Sequence, residues 1–143
     1  ENLDRVTITG IEIATSGWLT QDLFTRLAYT SVDAEEDLDD GGTRQLRSRP
    51  EHTAMAELRY RLPLDIDLSL NGIYVSGLHD LDPDGVYTEI SSYFVANTRL
   101  AKTFADKFEA YLFVSNLEDT DYEHRIGFPR EGRAFLLGLT YTY

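Results

Sequence analysis

Three aspartates at alternate positions followed by a glycine, Asp80-x-Asp82-x-Asp84-Gly85, are the residues whose type and spacing most resemble a chemical site. Carboxylates at alternate positions can converge on a hard cation, and glycine permits the sharp turn between them, as in the first half of a calcium loop. The twelfth position of such a loop is Ser91, the nearest acid is Glu89, and no flanking helices are expected. A weak Ca2+ site made by Asp80, Asp82, Asp84 and Glu89 therefore competes with a plain solvated turn. A second acidic run, Asp33, Glu35, Glu36, Asp37, Asp39 and Asp40, can collect divalent cations or attract a cationic ligand; otherwise it reads as a flexible, solubilising loop tip. His52, His79 and His124 are too scattered for a metal-ligand spacing and read as ordinary surface residues. No Ser/His/Asp or Cys/His arrangement, phosphate-cradling glycine loop or paired catalytic carboxylate stands out, so the chain does not read as an enzyme.

Composition narrows the class. Cysteine is absent, which excludes a disulfide framework and any Cys-based zinc or redox site. The net charge of −12, from 25 acidic against 13 basic residues, argues against nucleic acid as a partner. Hydrophobic residues make up 42% of the 143 positions, yet no apolar run approaches the ~20 residues that a membrane helix needs. Contact with a bilayer must therefore be through strands. The sequence opens at Glu1 without initiator Met or leader-like segment, which suggests a mature or excised piece.

The elements that must position these residues are strands. Alternation and turn signals predict about seven of them: about Arg5 to Ser16, Leu23 to Val32, His52 to Leu62, Ile66 to Gly77, Glu89 to Lys102, Phe108 to Leu117, and a terminal strand from Arg133 to Tyr143. In the first, Val6 and Ile8 give way to Ile11 and Ile13, a phase change that suggests a bulge at Gly10. In the third, Ala54, Ala56, Leu58, Tyr60 and Leu62 oppose Thr53, Met55, Glu57, Arg59 and Arg61, and a face with three charges fits a wet lumen better than a dry core. Glu57, Arg59, Arg61, Arg99 and Glu109 are expected to pair across strands inside such a lumen rather than to form a substrate path. The terminal strand puts Phe135, Leu137, Leu139, Tyr141 and Tyr143 on one face and Ala134, Leu136, Gly138, Thr140 and Thr142 on the other. The nine Tyr and seven Phe are explained most simply as girdles at the membrane interfaces.

Connections alternate strictly between long and short. Asp33 to Ser48, Leu78 to Thr88 and Glu118 to Gly132 are long; Gly17 to Asp22, Pro63 to Asp65 and Phe104 to Asp106 are tight turns. Long loops at one end and short turns at the other are the pattern of an outer-membrane barrel, with the C-terminus on the periplasmic side. The predicted fold class is all-β: an antiparallel up-and-down transmembrane β-barrel segment of about seven strands.

Val114-Ser-Asn-Leu-Glu-Asp-Thr-Asp-Tyr122 followed by Gly127-Phe-Pro-Arg-Glu-Gly-Arg133 resembles the C-terminal end of TonB-dependent outer-membrane receptors. The matching positions are Asn116, Leu117, Asp119, Tyr122, Gly127, Pro129, Gly132 and Arg133. Upstream, Arg5-Val-Thr-Ile-Thr-Gly-Ile-Glu12 resembles the family's Gly-Val-Glu strand, and Arg49-Pro-Glu-His-Thr-Ala54 its Arg-Pro-x-His strand opening. Each piece alone is a weak signal, but the ordered set spans essentially the whole chain.

The resemblance implies a wall segment, the C-terminal third of a barrel of ~22 strands, in the outer membrane of a Gram-negative bacterium. Its implied partners are outer-membrane lipid, the rest of the barrel, the plug domain, the TonB system and a small-molecule nutrient: an iron–siderophore complex, haem or cobalamin. The plug domain and TonB-contacting box have no counterpart in this sequence. Phe135, Leu137, Leu139, Tyr141 and Tyr143 look like the signal that the outer-membrane assembly machinery reads. The competing readings are a small passive barrel or scaffold completed by another chain or by oligomerisation, and a soluble ligand-binding β-barrel.

Overall fold

The alternating segments pair in chain order. The computed structural model describes residues 5–105 and 107–143 and contains ten strands: β1 (Val6–Trp18), β2 (Leu23–Asp37), β3 (Thr43–Gln45), β4 (His52–Leu62), β5 (Ile66–Ser76), β6 (Leu78–Leu81), β7 (Tyr87–Ile90), β8 (Tyr93–Phe104), β9 (Phe108–Ser115) and β10 (Ala134–Tyr141). Seven of them form one antiparallel path, β1-β2-β4-β5-β8-β9-β10, with β3 added to β2, while β6 and β7 form a separate hairpin. These seven are the seven strands expected from alternation. Among the described residues there is no helix, and the path stays open with β1 and β10 as its edges.

Register sorts the side chains into two faces because successive residues of a strand point opposite ways. One face carries rows such as Leu23, Tyr60, Leu68, Leu100, Leu112 and Leu137. The other carries Arg59, Ser69 and Arg99 in one row and Arg26, Glu57, Asn71 and Asn97 in the next. The polar groups satisfy one another: Arg59 bridges Glu57 at 2.6 Å, Arg99 bridges Glu109 at 2.6 Å, Arg61 lies 3.8 Å from Asp67, and Asn97 donates to Asn71 at 2.9 Å. Cross-strand and neighbour pairing is what these five charges and Asp67 of the polar face do. On the opposite face Leu137 and Leu139 are 80% and 72% exposed, a surface that only lipid can cover without penalty.

Aromatic residues bracket that apolar face. Tyr29, Tyr74 and Phe94 belong to one row, and Phe104, Phe108 and Tyr141 to another. Along β8 the two rows are ten residues apart, from Phe94 to Phe104. At roughly 3.3 Å per residue and a tilt of about 40°, that separation is roughly 25 Å along the membrane normal, the height of the apolar band of an outer-membrane barrel. Lys102, a cation within the band's lower rows, sends Nζ to the carbonyl of Leu64 at 2.5 Å in the turn beyond the aromatic row, as a snorkelling lysine does.

Two details differ from the sequence-based expectation. The β1–β2 register runs without interruption from Val6↔Glu36 to Trp18↔Phe24, so Gly10 carries no bulge. The glycine instead answers a close approach: a Cβ at Gly10 would sit 2.9 Å from the carbonyl oxygen of Ser31. The phase change falls just above Ser31↔His52, where the regular β2–β4 pairing ends and β2 is flanked instead by β3. Second, the long loops contain strands of their own. β2 continues to Asp37 and turns back into β3, and Glu89 and Ile90 belong to β7 rather than to the spanning strand, which begins at Tyr93. At the short end, Ala105 takes a positive φ of 49° in the turn expected at Phe104 to Asp106; Asp106, like residues 1–4, lies outside the described residues.

Glycines provide joints in the ladder. The ring of Tyr111 on β9 lies over Gly138 of β10 so closely that a Cβ there would come 2.1 Å from Tyr111 Cζ. Arg99 covers the same ring at 4.5 Å and ties it to Glu109. On the apolar face Phe94 covers Gly72 in the same manner, at 2.9 Å.

Candidate functional site

All three long connections lie at one end of the sheet and touch one another. Tyr87 of β7 donates its hydroxyl to the carbonyl of Gln45 in β3, Ser48 N–H donates to the carbonyl of His79 at 2.9 Å, and Ile126 N–H donates to Asp80 Oδ2 at 3.3 Å. The expected segregation of loops from turns is therefore what the chain does.

The acidic run does not behave as a floppy tip. Its first half is strand, and each acid there has a partner: Glu36 accepts from Arg44 Nε at 2.5 Å, Asp33 from Gln45 at 3.0 Å, Glu35 from Thr43 at 3.4 Å, and Asp37 lies 3.8 Å from Arg5. Glu36 is 1% exposed, and a carboxylate that deep must be paired to remain charged. The Arg44 guanidinium also lies 5.3 Å from the centre of the Tyr87 ring, whose other contact is the stacked ring of His79 at 5.1 Å. Burial, partly opposed by Arg44, pushes the Tyr87 hydroxyl pKa up, which keeps it a proton donor. Asp39 and Asp40 keep the exposed position expected of the run, on the turn closed by Gly42 N–H to Asp40.

The four carboxylates proposed for calcium are not gathered on a common point. Asp82 folds back on its own turn, accepting from the backbone N–H of Asp84 at 2.9 Å and of Val86 at 2.8 Å, while Asp80 accepts from Leu81 and Ile126. Glu89 is the register partner of His79. Among the described residues no group of three or more His, Asp or Glu is arranged to hold a metal ion. Alternate acids here serve a hairpin turn, for which an Asx-type bond to the backbone is sufficient reason.

The histidines are not plain surface residues either, since each has a tyrosine. His52 Nδ1 shares a hydrogen bond with Tyr29 Oη at 3.0 Å, His79 stacks on Tyr87, and His124 Nδ1 shares one with Tyr93 Oη at 2.6 Å. Sequence spacing could not show this, because the partners are joined only through register and loop folding.

The resemblance motif has a mechanical explanation. β8 runs past the end of β9, and the chain after Ser115 fills the vacant edge: Leu117 N–H donates to the carbonyl of Ala96 at 2.8 Å, Glu118 Oε2 accepts from Ala96 N–H at 3.0 Å, and Thr120 Oγ1 donates to the carbonyl of Phe94 at 3.0 Å. Asn116, 3% exposed and at a φ of 50°, clasps the loop by donating to the carbonyls of Thr120 (2.9 Å) and Glu131 (3.2 Å) and accepting from Thr120 N–H (2.9 Å). Asp119 accepts from Arg133 N–H at 2.7 Å, beside Gly132, where a Cβ would come 3.0 Å from that same oxygen. A small hairpin follows, with Arg130 N–H to the Tyr122 carbonyl at 2.9 Å, a bridge between Glu123 and Pro129, and Gly127 at a φ of 82°.

That hairpin folds over the polar face. Tyr122 packs against the buried cluster of Val75, Tyr93 and Val95, residues that register places on the polar side of β5 and β8. Tyr93 and Tyr122 rings are 4.7 Å apart, and His124 meets both edge-on at 5.5 Å. Burial first, then Arg130, holds the His124 imidazole below its ordinary pKa of 6.5. Open clefts of about 430 Å³ and about 410 Å³ flank the hairpin, the first lined by Thr53, Val75, Tyr93, His124 and Arg125 and the second by Val95, Asn97, Tyr122 and Arg130.

A tilted antiparallel wall, apolar outside and polar inside, with its long loops gathered at one end, is a segment of a transmembrane β-barrel. The model of the TonB dependent receptor-like, β-barrel family matches residues 1–117, and the chain belongs to that family. Among solved structures, it is similar to the ferric-catecholate import receptor Fiu of E. coli, with 28% identity and a TM-score of 0.79 over 95% of this chain and 21% of that one. The siderophore receptor PiuA from Acinetobacter baumannii has the same fold at 17% identity, with a TM-score of 0.80 over 96% of this chain and 22% of that one. So does the pyoverdine outer-membrane receptor FpvA from Pseudomonas aeruginosa, at 16% identity and a TM-score of 0.81 over 96% and 22%. The chain thus spans about a fifth of the length of the receptors it matches.

Proposed function

We propose that this chain is wall and outer-loop layer of a Gram-negative outer-membrane receptor that takes up a scarce nutrient, of the iron–siderophore, haem or cobalamin type, with energy from TonB. The observation that carries the reading is the placement of three mutually bonded loops at one end of a two-faced sheet, in a chain of this family. The loops would meet ligand arriving from outside, and the polar face would line the space in which a plug domain sits. Printed descriptions of similar structures name ferric-catecholate and pyoverdine receptors, which favours an iron chelate among the three nutrient types. The last strand would serve assembly, since Phe135, Leu137, Leu139, Tyr141 and Tyr143 expose one apolar face on an edge that must be paired.

Uptake of a radiolabelled iron chelate by cells expressing the full-length receptor, with and without a working TonB system, tests this. Accumulation that requires both the receptor and TonB is the expected result. Accumulation indifferent to TonB would favour a passive outer-membrane barrel, completed by another chain or by oligomerisation.

A further inference from the structure

The β6–β7 ribbon stands apart from the wall. It is a two-stranded sheet of its own, entered at Gly77, which has a positive φ of 65°, and left through Ser91 and Ser92. Register sorts the side chains of such a ribbon between its two faces. Leu78 and Asp80 share one face with Ile90 and Thr88, and His79 and Leu81 share the other with Glu89 and Tyr87.

Each face holds a different loop. On the face of His79, the Tyr87 ring stacks on that imidazole at 5.1 Å and meets the Arg44 guanidinium at 5.3 Å, while the Tyr87 hydroxyl donates to the Gln45 carbonyl. Arg44 in turn holds the buried Glu36, so this face is tied to β2 and β3. On the opposite face, Asp80 Oδ2 accepts from Ile126 N–H at 3.3 Å, and Leu78 lines a cleft together with Tyr93, His124 and Arg125. Leu78 and Ile90 are both buried at the foot of the ribbon, and only Ser91 and Ser92 separate Ile90 from Tyr93, against which Tyr122 and His124 pack. An isolated two-stranded ribbon is marginal in water, so its order depends on these contacts. Undocking it breaks the contacts of both faces in one event.

We propose that β6–β7 is a coupling element through which the β2–β3 loop and the Tyr122–Arg130 hairpin loosen and tighten together. A contact that steadies one outer loop then steadies the other, because both draw on the same docked ribbon. The coupling belongs to the loop layer itself and holds for whichever nutrient the receptor takes up.

Hydrogen exchange of the full-length receptor in detergent tests this, with Tyr87→Phe, Asp80→Ala and the double variant compared with wild type at one pH. The reporting segments, residues 43–48 and 122–130, contain neither substitution, so their intrinsic exchange rates are unchanged. Tyr87→Phe keeps the ring and removes only the hydroxyl; protection should fall in residues 43–48 and also, by about two- to tenfold, in residues 122–130. Asp80→Ala should loosen residues 122–130 and, by a similar factor, residues 43–48. The double variant should lose less than the product of the two single losses, since one undocking serves both. Loosening confined to the loop that each side chain touches, no loosening at all, or equal loosening of β9 in the wall overturns the proposal. Either variant alone decides through the loop it does not touch, should the other fail to reach the membrane.

Discussion

The spanning wall and the outer loop layer of this chain are held by different physics. The wall is a backbone ladder whose apolar face is bare, with Leu137 80% exposed, and whose edge strands β1 and β10 each pair on one side only among the described residues. In the loop layer the chain covers itself: Ala34, Glu36, Leu78, Ile90, Tyr93 and Asn116 are all buried there. Loops of globular proteins are commonly the loose part. Here the loops close over a core, the cluster of Val75, Tyr93 and Val95 at the loop end of β5 and β8. Damage to the wall should therefore appear as failed insertion, and damage to the loops as altered protection or binding in receptor that has inserted.

The largest effect should come from the wall's edge. Deleting Tyr141 to Tyr143 removes the aromatic row partner of Phe108, 4.8 Å from Tyr141, and the Thr142 N–H bond to Lys107. Outer-membrane abundance measured by heat-modifiable mobility on gels should fall several-fold, on the order of the abundance changes that 1–2 kcal/mol brings in cells. Wild-type abundance with loss of ligand binding alone would show that the strand has another job. In the loop layer, Asn116→Ala strands the Thr120 and Glu131 carbonyls and the Thr120 N–H, a local loss of about 2–4 kcal/mol. Trypsin should then cut after Arg125 or Arg130 much faster in receptor inserted at near-normal levels; unchanged protection would refute the clasp.

Gly138→Ala tests the wall from inside. A methyl group would displace the Tyr111 ring and loosen its stack under Arg99, at a cost of about 1–3 kcal/mol. The temperature at which the receptor loses its compact gel mobility should drop, and Tyr111→Ala in the same chain should make Gly138→Ala nearly silent. If the two substitutions simply add, the joint is not what couples β9 to β10.

Two smaller effects sharpen the loop side. Because burial lowers the His124 pKa, its neutral form contributes stability that is complete above pH 6.5 and is lost as pH falls from there through the folded-state value. Hydrogen-exchange protection factors of the Tyr122–Arg130 hairpin, each rate being divided by the intrinsic rate at its pH, should fall modestly between pH 7.5 and 5.5, and His124→Gln should flatten that slope. Last, Asp39→Asn with Asp40→Asn should change stability by less than about 0.5 kcal/mol, since both acids are exposed at a turn. A larger loss would mean that the tip is as well packed as the strand leading to it.

Local sequence was sufficient for everything that follows from period and turn chemistry. Alternation in His52–Leu62 and Ala134–Tyr141 specified two faces, and spacing along the chain put long and short connections at opposite ends. The motif around Asn116 could be read as a family signature, although not as a clasp. What the tertiary structure alone decided is which distant groups meet. Glu36 looked like one acid among six until the β2–β3 turn brought Arg44 beside it, and His79 and His124 looked idle until register and loop folding set them against Tyr87 and Tyr93. The acids at 80, 82 and 84 show the reverse, a ligand-like spacing consumed by backbone bonds of its own turn. Periodicity is a property of neighbours along one strand and is written locally. Pairing across loops depends on where several strands end relative to one another, and no local window of sequence contains that information.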